Sequence, residues 1–373
     1  MRAEFPESIV LNTKDLSVGY GNDPIVPDIS FSVNKGEILV LIGPNGAGKS
    51  TVLKTLTNQL KAVAGTVFIE GKDMQELKNS EIAAKMAVLM TERPRTERMT
   101  VEDIVSAGRY PYTGLMGILD ENDRAVVERS LEMVGMLQEK NKDFNAISDG
   151  QKQLTMLARA IAQEPDIMIL DEPTSFLDIR HKIKLLGILK KLVFEKNMAV
   201  IMSLHELELA HKCADHILCI GNGRVDRYGT AEEIFDSNGY IEELYGVEKG
   251  CFIPEYASVE LGKTEGEPEV FVIGGGGSGI PVYRKLQREG IPFAAGVIHE
   301  NDIEYPIAKA LACKVVTEKA FMPIGDESYE EAAKLMVQCK KVIPAVKQFA
   351  AMNEKNSELI SEAEKRGLIW HGL

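Results

Sequence analysis

The stretch Gly43-Pro44-Asn45-Gly46-Ala47-Gly48-Lys49-Ser50 narrows the choice of fold more than any other part of this chain. It follows an apolar run, Ile38-Leu39-Val40-Leu41-Ile42, and precedes Thr51-Val52-Leu53-Lys54-Thr55-Leu56, which reads as a helix. Strand, glycine-rich turn and helix carrying G-x-x-x-x-G-K-[ST] make a phosphate-binding P-loop. The glycines let backbone N–H groups turn inward where a Cβ would obstruct them, and the helix N-terminus adds partial positive charge. The expected ligand is a nucleoside triphosphate held by residues Gly43 to Thr51. Lys49 would reach the β- and γ-phosphates, and Ser50 would ligate Mg²⁺ through its hydroxyl.

Further along, Ile167-Met168-Ile169-Leu170 reads as a buried strand that ends in Asp171-Glu172. An Asp at such a strand tip holds Mg²⁺ in P-loop enzymes, and Glu172 is placed to orient or deprotonate an attacking water. The strand Met198 to Ser203 is followed by His205, at the carboxyl end where open α/β sheets bind ligands. Ser148 and Gln151 form an S-x-x-Q capping box ahead of an amphipathic helix. Near the N-terminus, Ile9 to Val18 and Ile29 to Val33 alternate like antiparallel strands. Tyr20 between them is either a core aromatic or an exposed ring able to stack on adenine. From about Gln75 to Asp143 the chain turns mainly helical, with start signals at Thr100 and Asp120.

A chain of 373 residues implies two or three domains. The formal charge of −13 argues against a nucleic-acid partner. No apolar run is long enough to span a bilayer, and the N-terminus lacks the apolar core of a signal peptide. Five scattered cysteines suit a reducing compartment, so a cytoplasmic location is expected. His211, Cys213, His216 and Cys219 match no zinc spacing and are expected to be ordinary packing.

The order of these motifs resembles the nucleotide-binding subunits of ATP-binding cassette (ABC) transporters. The P-loop, the helical insertion, the signature around Ser148, Asp171-Glu172, Ser175-Phe176-Leu177-Asp178 and Ser203-Leu204-His205 carry the resemblance, over residues 1 to about 250. It implies an α/β fold: a P-loop cassette with a RecA-like core, an antiparallel β subdomain and a helical subdomain at about 75–145. It also implies an ATPase with ATP and Mg²⁺ as cofactors. Tyr20 would stack on adenine, and Ser148, Asp149, Gly150 and Gln151 would contact the γ-phosphate bound by the other subunit. Asp178 would lie at the dimer interface and His205 would contact the γ-phosphate, with Lys49 and Glu172 completing the catalytic set. The implied partners are a second copy, membrane permease subunits and, indirectly, an extracytoplasmic substrate-binding protein. The implied location is peripheral, on the inner face of the cell membrane. Ser106 to Tyr112 and Pro173 to Asp178 resemble, more finely, importers of iron–siderophore complexes, haem or cobalamin. The rival reading is a soluble cassette ATPase without a permease, although such proteins usually carry tandem cassettes and only one P-loop occurs here.

Two positions depart from the family pattern. Thr91-Glu92 stand where a Gln usually couples Mg²⁺ to the membrane subunits, which makes Glu92 a candidate metal ligand. Asp149 replaces the first signature glycine. A carboxylate about 8 Å from a γ-phosphate would cost roughly 2 kcal/mol at an effective dielectric near 20, so its side chain is expected to point away from the nucleotide.

The cassette is expected to occupy 1–255 and a polar linker 256–268. A small Rossmann-like α/β domain is expected over 269–373. There Gly274-Gly275-Gly276-Gly277-Ser278-Gly279 satisfies G-x-G-x-x-G after the strand Val270 to Ile273. A second strand, Phe293 to Ile298, leads to Glu300, at the distance of a ribose-binding acid. Gly274, Gly276, Gly279 and Glu300 are therefore the candidate ligand site of the tail; the alternative is a tight strand-to-helix turn that binds nothing. After a third strand at Lys314 to Val316, the rest reads as helical to Gly367.

Overall fold

A computed structural model describes residues 8–90, 98–113, 117–237 and 239–370. The chain divides into two compact units, Met1–Ser237 and Asn238–Leu373. The division falls earlier than the expected linker because that segment packs on the second unit. Its Tyr256 hydroxyl donates to the Ile303 carbonyl (2.9 Å), and Glu260 pairs with Arg284.

The strands of the first unit are β1 (Ile9–Tyr20), β2 (Asp23–Ile29), β3 (Ser32–Asn34), β4 (Ile38–Ile42), β5 (Ala64–Ile69), β6 (Lys72–Asp73), β7 (Met86–Leu89), β8 (Ile167–Leu170), β9 (Ala199–Ser203), β10 (His216–Gly221) and β11 (Arg224–Thr230). They form two sheets. One is antiparallel, in the order β2-β1-β5-β6 with β3 also on β1. The other runs β11-β10-β4-β9-β8-β7 and is parallel except for β11. All residues of β4, β8 and β9 are buried, as expected of parallel strands covered on both faces. The second antiparallel run differs from the sequence reading: it splits at Ser30-Phe31 into β2 and β3. β2 carries Pro24 and Pro27, and it lies at the sheet edge, where proline is tolerated.

The helical insertion packs the helices Val101–Ser106 and Glu121–Met133 against Asp149–Ala162. Thr100 and Asp120 cap the first two, accepting from the backbone N–H of Asp103 (3.1 Å) and Asp123 (2.7 Å). Arg109 ties the insertion together: its side chain is 3% exposed and donates to Asp123 (2.8 Å), Glu164 (2.7 Å) and the Ala162 carbonyl (2.9 Å). Gly108 permits this approach, since a Cβ there would lie 2.2 Å from the Arg159 carbonyl oxygen.

The second unit adds a hairpin of β12 (Phe252–Ile253) and β13 (Ser258–Val259), then β14 (Val270–Ile273), β15 (Phe293–His299), β16 (Lys314–Glu318) and β17 (Lys341–Pro344). The last four form a parallel sheet, β16-β15-β14-β17. Alternate residues of β14 enter separate cores on its two faces, Val270 and Val272 on one side and Phe271 and Ile273 on the other. The tail is thus doubly wound. β17 corrects the reading of an all-helical end: four residues closing on a proline give too short a signal.

Removing Arg109 would leave Asp123 buried without its counter-charge. Arg109→Ala should therefore lower the stability of the first unit by about 3 kcal/mol. The check is a lowered urea midpoint with an unchanged m-value.

Candidate active site

The parallel sheet decides which side chains meet. β4 carries the glycine-rich turn, β9 lies beside it, and β8 lies beside β9. Three carboxyl ends therefore deliver Lys49, His205 and the pair Asp171-Glu172 to one place.

In the turn, Gly43, Gly46 and Gly48 have φ of 146°, 78° and 107°. A Cβ on Gly43 would lie 1.9 Å from the Ile220 carbonyl oxygen, and one on Gly48 would lie 2.5 Å from Val26. Both glycines are thus required by backbone conformation and by packing. Lys49 opens the helix Lys49–Leu56 and is 5% exposed. Its ammonium donates to the carbonyls of Gly43 (2.6 Å) and Pro44 (3.0 Å). Burial lowers its pKa from the ordinary value, opposed by the charges of Glu172 and Asp171.

Ser50 donates to Asp171 (3.1 Å), and Ser203 donates to the same carboxylate oxygen (2.8 Å). The Ser203 hydroxyl also accepts from the Glu172 backbone N–H (2.8 Å). Glu172 has a left-handed backbone, φ 47°. Its two carboxylate oxygens meet His205 Nε2 (2.5 Å) and the Ser175 hydroxyl (3.0 Å). Burial opposes its charge, yet the bonds to His205 and Ser175 and the charges of His205 and Lys49 hold its carboxyl below the ordinary range. Glu206 ties the neighbouring segments together, accepting from Thr174 (2.9 Å) and Lys182 (2.6 Å).

Tyr20 ends β1 opposite Asp23 of β2, and its ring is 59% exposed. It is not a core aromatic. The signature residues lie elsewhere. Ser148 caps the helix Asp149–Ala162, its hydroxyl accepting from the Gln151 N–H (3.3 Å), while Gln151 accepts from the Ser148 N–H (3.1 Å). A cavity of about 370 Å³ beside them is lined by Ser148, Gln151, Arg180, His181 and Lys184, among others, but by no residue of the P-loop turn. Asp149 is 59% exposed, with Lys152 at 3.9 Å. A Cβ on Gly150 would come within 2.9 Å of the His181 ring, which Asp178 holds at 2.8 Å. Glu92 lies outside the described residues.

Ser203 and Ser175 received no role from the sequence. The available signal was a hydroxyl at the tip of an otherwise apolar strand. His211 and His216 pack against rings, His211 edge-on to Phe235 and His216 stacked on Tyr228.

Comparison with known proteins gives the family. The family model "ABC transporter" matches residues 26–175. An uncharacterized ABC transporter ATP-binding protein of Methanocaldococcus jannaschii is 44% identical over 278 residues, 74% of this chain and 96% of the relative. The chain belongs to the ABC transporter ATP-binding proteins. This ABC ATPase is also 37% identical over 224 residues to the iron(3+)-hydroxamate import ATP-binding protein of Bacillus subtilis, covering 60% of the chain and 83% of the relative. The cobalamin import ATP-binding protein of Halobacterium salinarum is 28% identical over 346 residues, 90% of the chain and 85% of the relative. A solved ATP-binding subunit of an ABC transporter superposes with a TM-score of 0.56 and 28% identity, over 64% of this chain and 98% of that one. Residues 293–370 of the ABC ATPase match a separate model, the MJ0874 family.

Ser203 makes the one hydroxyl contact shared by Asp171 and the strained Glu172 backbone. In the ABC ATPase, Ser203→Ala should lower kcat about tenfold and leave the fold intact, since the bond to the Asp171 carboxylate and the bond from the Glu172 N–H are lost together. Steady-state hydrolysis and a melting curve together check this; an unchanged kcat would leave Ser203 as packing only.

Proposed function

We propose that this ABC ATPase energises import of a metal-chelate substrate of the iron–siderophore, haem or cobalamin class, with cobalamin favoured. The supporting observation is the reach of the alignments. The similarity to the cobalamin import protein spans 346 residues and so extends into the second unit, whereas that to the iron-hydroxamate protein spans 224. Among the described residues no helix is long and apolar enough to cross a membrane. Substrate would therefore pass through separate permease subunits, with the ATPase docked on the inner face of the membrane and an extracytoplasmic binding protein delivering the substrate. The reading is tested by co-purifying the ATPase with its permease in lipid vesicles. Cobalamin should stimulate ATP hydrolysis; stimulation by ferric hydroxamates alone would move the substrate to the siderophores.

In this reading the P-loop backbone and Lys49 hold the phosphates, and Tyr20 stacks on the adenine. Ser50 and Asp171 offer hard oxygen donors joined at 3.1 Å, a set that fits Mg²⁺. A Mg²⁺ held there would supply positive charge against the phosphates. Glu172 accepts a proton from the attacking water or orients it, and His205, already bonded to Glu172, contacts the γ-phosphate. Glu172→Gln keeps the shape but is a poor base. It should bind ATP normally and lose turnover by at least about 100-fold. Hydrolysis within about tenfold of wild type would remove Glu172 from this role.

The nucleotide is completed by a second copy. The signature cavity contains no P-loop residue, and the helix N-terminus beside it favours an anion. Beside Asp178, the apolar side chains of Phe176, Ile179 and Ile183 are exposed, a surface suited to burial between copies. Ser148→Arg and Lys49→Ala should each be inactive alone. Mixed, they should regain part of the wild-type rate through heterodimers with one intact composite site. No recovery on mixing, together with a wild-type rate that is indifferent to dilution, would count against a shared site.

A further inference from the structure

The second unit contains a cavity of about 690 Å³ that the ATPase chemistry does not use. Its size falls in the range of small-molecule sites. It lies where the sheet changes direction. The turn after β14 leads to the helix Ile280–Arg288, which packs on one face, and the segment after β17 leads to Glu354–Lys365 on the other. Such a reversal opens a crevice at the carboxyl ends of the strands, the usual ligand position in open α/β sheets.

The glycine turn beside it does not offer the phosphate cradle that G-x-G-x-x-G suggests. Asp302 accepts from the Gly276 N–H and Glu304 accepts from the Gly279 N–H, both at 2.7 Å. Glu304 is fully buried and also accepts from the Tyr283 hydroxyl (2.8 Å). A Cβ on Gly274 would lie 2.0 Å from the Glu304 carboxylate. The glycine thus makes room for the protein's own acid. Glu300, the expected ribose acid, is exposed and does not line the cavity. A diphosphate placed on this turn would meet the Asp302 carboxylate and find two of its donors already engaged.

The lining offers other chemistry. Asp302 accepts from the Gly276 N–H on one oxygen and from the Glu304 N–H (3.0 Å) on the other, and each oxygen keeps a second lone pair as an acceptor. Lys347 and Gln348 present donors from the exposed side, and Val297, Ala345 and Met352 supply apolar surface. We propose that this cavity binds an unphosphorylated nucleoside, its sugar hydroxyls or base amine donating to Asp302 and its ring lying on the apolar wall. The site is independent of which substrate the transporter carries.

Calorimetry tests this on the full chain carrying Lys49→Ala, so that the P-loop contributes little. Adenosine, guanosine, cytidine, uridine and NAD are titrated separately. At least one nucleoside should saturate a single site per chain, and NAD should bind about tenfold or more weakly than it. Asp302→Asn should weaken nucleoside binding about tenfold, and Ala345→Trp, which fills the cavity, should abolish it. If the Trp variant does not fold, Gln348→Ala on the exposed side takes its place, with a smaller loss expected. No saturation by any of the nucleosides at millimolar concentration would overturn the proposal. So would tighter binding of NAD, or nucleoside binding that ignores both Asp302→Asn and the cavity variant.

Discussion

The cassette depends on keeping one ammonium group charged while it is nearly buried. Taking Lys49 out of water disfavours its charge, and an unpaired buried charge is among the costliest features a fold can carry. Two backbone carbonyls of the glycine turn bond it directly, and Glu172 and Asp171 act on it through space. The carboxylates come from β8, which reaches β4 only through β9. Strand order is therefore an electrostatic requirement as well as a topological one. A sheet with β8 at another position would bury the lysine without its counter-charges.

The same order explains why the polar groups at these strand ends interlock. β9 lies between the lysine strand and the carboxylate strand, and its terminal residue braces the carboxylate segment. Ser203 does this with one hydroxyl, donating to Asp171 and accepting from the backbone of Glu172. That backbone sits in the left-handed region, which costs energy in a residue with a Cβ and persists only where its surroundings enforce it. The enforcement comes from Ser203 on the backbone and from His205 and Ser175 on the carboxylate. Both oxygens of the Glu172 carboxylate are thus held in place. Such positioning is what the proposed general-base role requires, since geometry comes before pKa.

Much of this was legible in the sequence because the motifs carry their own geometry. A P-loop needs a strand before it and a helix after it, so Gly43 to Ser50 located β4 and its helix. Asp171-Glu172 and His205 followed from their positions at the ends of apolar runs. What the sequence hid has physical causes. β2 was obscured by Pro24 and Pro27, because edge position is a tertiary property. β17 was too short to show a period. Arg109 drew notice as part of a family-like stretch, yet its visible work is structural, joining Asp123, Glu164 and Ala162. Long-range pairs of that kind leave no local pattern. The polar stretch after the cassette hides its packing for the same reason: it looks like a linker until its partners, Ile303 and Arg284, are known.

The chain contains two glycine-rich turns between a strand and a helix, and they have opposite electrostatic characters. In the first, the lysine at the helix start adds positive charge to inward backbone N–H groups, which leaves the turn suited to an anion. In the second, Asp302 and Glu304 supply the acceptors from within the same unit. Burial raises the pKa of Glu304, which favours its neutral form and eases the cost of enclosing it. Both turns satisfy the same rule, that N–H groups at a buried helix start must find acceptors. They differ in whether the acceptor arrives as ligand or is built into the fold. Glycine spacing reports only that the backbone comes close to something. For the second turn the identity of that acceptor is written in residues far along the chain, at Asp302 and Glu304.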